Sequence, residues 1–191
     1  MNHGVVGVLL AAGQSRRFGD NKLHHEIEPG TPLGLYAARN LIAVLPESVA
    51  VVHPDDRVLP PLFEHIGLRV VVNPLAHEGI GTSLAAGVAA SADGNGWVIA
   101  LADMPYIQRS TCQRVVDALM STGKIVAPRY AGRRGHPVGF PKRFGAALQG
   151  LRGDHGAREI ISMNSLQLSL FDVNDEAVTK DIDEPADLAQ F

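Results

Sequence analysis

The sequence predicts one doubly wound α/β domain over residues 1–191, with a mostly parallel central sheet and helices on both faces. Two observations carry this expectation. The first is a set of short runs rich in Val, Ile and Leu, at Val5–Leu10, Val49–Val52, Leu68–Val72 and Trp97–Leu101. These runs lack a clean apolar–polar alternation, as expected of strands covered on both faces. The second is a helix-like stretch after each run, because strand then helix, repeated, builds a parallel sheet.

The elements follow in order. Thr31-Pro32 reads as an N-cap with proline at the first helical position, opening a helix over Leu33–Leu45. Pro60–His65 is a short helix, and Thr82–Ala90 is a small, apolar one. Ser110–Met120 sets Val115, Val116, Leu119 and Met120 on one side. The second half is less regular. Ile125–Pro128, Pro137–Phe140 and Leu166–Phe171 read as strands, and Phe144–Leu148 and Ala157–Met163 as helices. No repeat, low-complexity tract or long linker divides the chain.

Composition narrows the function classes. Apolar residues make up 46% and charged residues 19%, which is ordinary for a folded soluble protein. The net charge of −3 gives no field that would draw DNA or RNA, so an anionic ligand must be caught by a local constellation. The one cysteine, Cys112, rules out an internal disulfide and a cysteine-cluster metal site, and is expected as a small apolar residue on a helix. The first apolar run is too short for a signal peptide or a membrane span, so a cytoplasmic setting is expected, with no membrane partner.

In a doubly wound sheet, ligands bind beyond the carboxyl ends of the strands, so the residues after each strand matter most. After the first strand comes "AAGQSRRFGDNKL". A P-loop needs four residues between its glycines and then Lys-Ser/Thr. Here five separate Gly13 from Gly19, and Asp20 follows. The dinucleotide fingerprint needs a middle Gly that this stretch lacks. A third reading is a Gly-rich turn whose backbone N–H groups approach a phosphate, with Ser15, Arg16 and Lys22 adding donors and charge. The alternative is a solvated loop with surface Arg and Lys.

Asp103, in "LADMP", directly follows a buried strand. A carboxylate there needs a partner, and Mg²⁺ beside nucleotide phosphates is a natural one. An N-cap for the next helix is the other reading. The C-terminal "KDIDEPADL" places Asp181 and Asp183 two apart, on one face of an extended segment, where either can join Asp103. Asp183 as a helix N-cap is an equal alternative. No Ser-His-Asp or Cys-His arrangement and no zinc spacing is evident. His24 and His25 read as surface or loop residues, and Trp97 as a packed one.

Six segments occur in order between Leu9 and Leu188: "LLAAGQSRRFGDNKL", "GIGTSL", "LADMP", "GRRGHPVGF", "LRGDHGAR" and "DIDEPADL". Together they resemble the molybdenum-cofactor nucleotidyltransferase family, in the branch similar to molybdopterin cytidylyltransferases. The resemblance implies a Rossmann-like domain that binds CTP with Mg²⁺ or Mn²⁺. It implies transfer of CMP to the terminal phosphate of a molybdopterin-type acceptor, release of pyrophosphate, and a possible molybdoenzyme partner. The residues implied for the nucleotide are Leu10, Ala11, Ala12, Gly13, Ser15, Gly19, Lys22, Gly81, Ser83 and Asp103, with Lys22, Arg16 and Asp103 catalytic. Asp103 and Asp183 are the implied metal ligands, and Gly135, His136, Pro137 and Asp154 the implied acceptor pocket. Guanylyl-transferring relatives have Gly-Gly where this chain has Ala12-Gly13, which points to cytidine. Phe18 and Glu184 depart from the family pattern, where Met and Thr are frequent. An acceptor phosphate is already ionised at neutral pH, so no general base is required, and His136 reads as a pocket-wall residue. Two other readings stay open: a different nucleotide or phosphorylated acceptor, and a non-catalytic cofactor carrier.

Overall fold

The computed structural model describes residues 4–13, 21–184 and 186–187. In chain order its regular elements are β1 (Val5–Ala11), β2 (Glu26–Glu28), β3 (Thr31–Pro32), α1 (Leu33–Ile42), β4 (Ser48–Val52), α2 (Leu59–His65), β5 (Arg69–Val72) and α3 (Ile80–Ala90). There follow β6 (Gly96–Leu101), α4 (Arg109–Thr122), β7 (Ile125–Tyr130), β8 (Arg133–Arg134), β9 (Val138–Pro141), α5 (Gly145–Gln149), α6 (Arg158–Met163) and β10 (Leu168–Asp172). Short 3₁₀ turns connect several of them.

The main sheet has the order β10-β7-β9-β6-β1-β4-β5, with β8 paired to β7. Strands β6, β1, β4 and β5 run parallel, as do β10 and β7. β9 runs antiparallel between β6 and β7. The chain builds outward from β1 to β4 and β5, then crosses back to lay β6 on the other side of β1. Strand order therefore reverses beside β1, where a doubly wound sheet opens a crevice at the carboxyl ends of its strands.

The apolar runs explain this placement. Along β1, Val5, Leu9 and Ala11 join the core layer shared with α1, while Val6, Val8 and Leu10 join the layer under α3. Both faces of the strand are covered, so both are apolar. Trp97 is buried and its ring N–H donates to the Ser91 hydroxyl at 3.0 Å, as a packed rather than a stacking residue. Cys112 is buried on α4, and burial, with Asp175 nearby, pushes its thiol up to about 12.

The expected start of α1 is corrected. Thr31 and Pro32 pair with β2 as a short ribbon. Pro32 is itself the N-cap residue, and no side-chain bond caps the helix. The Thr31 hydroxyl instead accepts from the Arg39 guanidinium at 3.3 Å. The helix α4 is capped from a distance: the Gln108 amide and the Thr111 hydroxyl donate to one Asp175 oxygen at 3.0 and 2.6 Å.

Candidate active site

The carboxyl ends of β1 and β6 carry the chemistry. β1 delivers Leu10, Ala12 and Gly13 to one wall of an open cavity of about 350 Å³. β6 and its following turn deliver Leu101 and Asp103, and the N-terminal end of α3 adds Gly79, Ile80 and Ser83. Asp154 closes one side. Ala11 does not face this cavity. The two-residue period of the strand turns it into the opposite core layer. Ser15, Arg16 and Gly19 lie outside the described residues.

Lys22 opens a 3₁₀ turn capped by the Asn21 side chain. Its ammonium reaches the Asp103 carboxylate at 2.9 Å and the Asp183 carboxylate at 2.8 Å. Burial alone would lower its pKa, but the charges and hydrogen bonds of Asp103 and Asp183 outweigh that and raise it. Asp103 is also shifted upward, first by burial and then by the like charge of Asp181, with Lys22 opposing. Asp103 is no helix cap: α4 starts later, with Gln108 at its N-cap.

The C-terminal segment is fastened to the same turn. The Ile182 amide donates to the Asp103 carbonyl at 2.9 Å, and Ile182 itself is buried. That anchor sets Asp181 and Asp183 on either side of a fixed residue, so oxygens of Asp103, Asp181 and Asp183 lie within 4.8 Å of one another. The amides of Asp183 and Glu184 donate to the Asp187 carboxylate at 2.9 and 2.8 Å. The trio fits a hard divalent cation. Its donors are all carboxylate oxygens, and Asp103 Oδ1 is buried without a hydrogen-bond partner. Both Asp181 and Asp183 stand within reach of such an ion.

Gly81 does not line the cavity; its neighbour Gly79 does. A side chain on Gly79 would collide with Asp154 and the Gly153 backbone, and one on Gly81 with the carbonyls of Arg152 and Gly153. The glycines of "EGIG" therefore let the "RGDH" turn sit directly on the start of α3. Ser83 lines the cavity and is held by the Asn73 amide at 3.0 Å, which also meets Thr82. Asn73 follows β5 in an Asn-Pro turn and was legible only as punctuation.

A second cavity, of about 290 Å³, adjoins the first and shares Leu10, Ile80, Leu101 and Asp154 with it. His136 lines it; Gly135 and Pro137 do not. Gly135 is instead the point where the C-terminal segment crosses, since a side chain there would strike Val178. The His136 amide then donates to the Val178 carbonyl at 2.8 Å. Burial, followed by the nearby Arg134 charge, pushes the His136 imidazole down to about 4. It is neutral at physiological pH and a weak base. His24 is not a free surface residue: its ring meets the buried Asp56 carboxylate at 3.1 Å. No helix among the described residues is long and apolar enough to cross a membrane.

Comparison with known proteins gives the family and the fold. The family model described as "MobA-like NTP transferase domain" matches residues 7–169. Nicotine blue oxidoreductase of Paenarthrobacter nicotinovorans is 30% identical, with 94% of this chain and 92% of that protein covered. Purine catabolism protein PucB of Bacillus subtilis is 28% identical, with 95% and 92% covered. The crystal structure of Rv0371c from Mycobacterium tuberculosis superposes with a TM-score of 0.81 at 25% identity, covering 97% of this chain and 96% of that one. The manganese complex of Rv0371c superposes with a TM-score of 0.77 at 22% identity, with the same coverage. The strand order, the carboxylates at its reversal point and the matched family model converge: the chain belongs to the MobA-like NTP transferase family and is a nucleotidyltransferase.

Proposed function

We propose that the protein moves CMP from CTP to the terminal phosphate of a molybdopterin-type acceptor. One observation carries this reading: Lys22, Asp103 and Asp183 converge at the strand-order reversal, beside a cavity sized for a nucleotide. An oxygen of the acceptor phosphate attacks the α-phosphorus. The bond from that phosphorus to the bridging oxygen breaks, and pyrophosphate departs with the electron pair. Asp103 and Asp183, with Asp181 adjacent, would hold Mg²⁺ or Mn²⁺, which when bound offsets the charge of the reacting phosphates. Lys22 neutralises the departing pyrophosphate once it leaves the carboxylates. Ala12, at the cavity wall, supports cytidine over guanine. The acceptor phosphate needs no general base, in keeping with a neutral His136.

A pyrophosphate-release assay across four nucleoside triphosphates, with and without molybdopterin, tests the reading. The expected result is release with CTP that depends on molybdopterin. Asp103→Asn is expected to lower that rate about a thousandfold while its circular dichroism matches the parent. Unimpaired turnover by the variant would remove Asp103 from the reaction.

The name of the nicotine blue relative motivates a second reading, reduction or oxidation of an aromatic substrate in the same cavities. Consumption of NADH or NADPH without pyrophosphate release would favour it. Ligand binding with neither activity would leave a carrier. The carboxylate trio speaks for phosphate chemistry, because hydride transfer has no use for three acids around one point.

A further inference from the structure

One buried pair takes no direct part in the chemistry of the site. Asp56 stands in the turn between β4 and α2, and its side chain is 1% exposed. Its Oδ1 accepts from the amides of Val58 and Leu59 at 2.9 and 3.0 Å, where α2 begins. Among the described residues its Oδ2 has one hydrogen-bond partner, the His24 ring, at 3.1 Å. The same ring nitrogen lies 3.1 Å from Oδ1. An ionised carboxylate can only accept, so His24 Nε2 carries the proton of this contact. The Asn21 side-chain nitrogen, 3.0 Å from Nε2, lies beside that bond without sharing it, because the Asn21 oxygen is turned to the Leu23 amide.

His24 closes the short turn that Lys22 opens. Three residues make one turn of a 3₁₀ helix, so Lys22, Leu23 and His24 point about a third of a turn apart. Leu23 is buried in the core. The His25 carbonyl accepts from the Leu33 amide at 2.8 Å. These two contacts fix two points of the turn and leave rotation about the line through them. The bond from His24 to Asp56 stops that rotation, and so sets the direction of Lys22.

We propose that His24 and Asp56 are positioning residues, whose bond keeps Lys22 aimed at the reaction centre when its ammonium leaves the carboxylates. Lysine carries its charge on a flexible stem, so its reach is set by where its backbone is held. At rest, Asp103 and Asp183 help to hold Lys22 from its far end. During turnover the turn alone does so. That this placement serves nucleotidyl transfer rests on the reading above; that the pair places Lys22 does not.

The test acetylates the nucleotide-free full chain with an N-hydroxysulfosuccinimide ester at about pH 8 and reads each lysine by peptide mass spectrometry. In the parent, Lys22 has a side chain 12% exposed and ion-paired, and is expected to react more slowly than the exposed Lys124 and Lys142. His24→Ala is expected to label Lys22 about tenfold faster and to leave the other lysines unchanged. It is also expected to lower kcat for pyrophosphate release by about ten- to a hundredfold, with a smaller change in KM for CTP. Asp56→Ser keeps an oxygen for the start of α2 and removes the one that meets His24, so the same changes are expected. His24→Gln puts an amide nitrogen near the place of Nε2 and is expected to restore both readouts. Unchanged Lys22 labelling in His24→Ala and Asp56→Ser overturns the proposal. Faster labelling with unchanged kcat does so too, as does a His24→Gln variant that behaves like His24→Ala. Labelling that rises at every lysine together marks a general loosening of the fold and also overturns it. If no nucleotide releases pyrophosphate in the parent but the labelling pattern holds, the transfer reading falls and the placement of Lys22 by this pair stands.

Discussion

Lys22 holds the place that a metal would need. Its ammonium sits 2.8 Å from Asp183 and 2.9 Å from Asp103, two of the three carboxylates that converge there. A divalent cation drawn to those oxygens meets a charge already seated among them. Lys22→Met keeps the length and removes the charge. In the nucleotide-free protein it is expected to bind Mn²⁺ about tenfold more tightly, read by electron paramagnetic resonance titration. The same variant is expected to release pyrophosphate about a hundredfold more slowly. Weaker Mn²⁺ binding would show that Lys22 positions the carboxylates rather than competing for them. At this scale the structure brings together three residues that the sequence singles out by their chemistry, Lys22, Asp103 and Asp183. The Ala11 side chain joins the core layer opposite the cavity, because a one-residue step along a strand reverses the face.

The elements show the same division between local and distant causes. The first four strand–helix repeats were legible because short apolar runs alternate with helix-like stretches, although β5, at the sheet edge, is only partly covered. The antiparallel insertion of β9 between β6 and β7 was not, because which strands pair is decided by closure of the sheet. Thr31 was misread as a cap for a related reason: its backbone pairs with Glu28 instead. The cap of α4 comes from Asp175, 64 residues beyond Thr111, which no local pattern announces. The start of α3 depends on Gly79, whose φ of +118° favours glycine, and whose missing side chain admits the turn bearing Asp154. Gly79→Ala is therefore expected to lower stability by about 1–3 kcal/mol, read as a lower midpoint in urea. It should also weaken nucleotide binding, because Asp154 and Ser83 line the same cavity. A variant with an unchanged midpoint would mean that the turn tolerates displacement.

Across the whole molecule, His136 and Cys112 are two buried groups expected to contribute to the pH dependence of stability. His136 is held neutral with its pKa near 4, against an unfolded value of about 6.5. In acid the unfolded chain takes up a proton that the fold resists. The stabilisation is complete above about pH 6.5 and is lost as pH falls toward 4, by at most about 3 kcal/mol. Cys112 is shifted the other way, to about 12, against about 8.5 in the unfolded chain. Above about pH 9 the unfolded thiol ionises while the folded one does not, so stability falls again toward pH 12. Urea midpoints measured from pH 4 to 10 are expected to form a plateau between about 6.5 and 8.5, with a fall on each side. His136→Asn should flatten the acid side and Cys112→Ala the alkaline side, each leaving the other edge in place. The burial that raises the thiol pKa also predicts that Cys112 resists iodoacetamide at pH 8 until urea unfolds the chain. Rapid labelling of the native protein would show that the layer between α4 and the sheet opens without global unfolding, and the alkaline edge would then belong to another group.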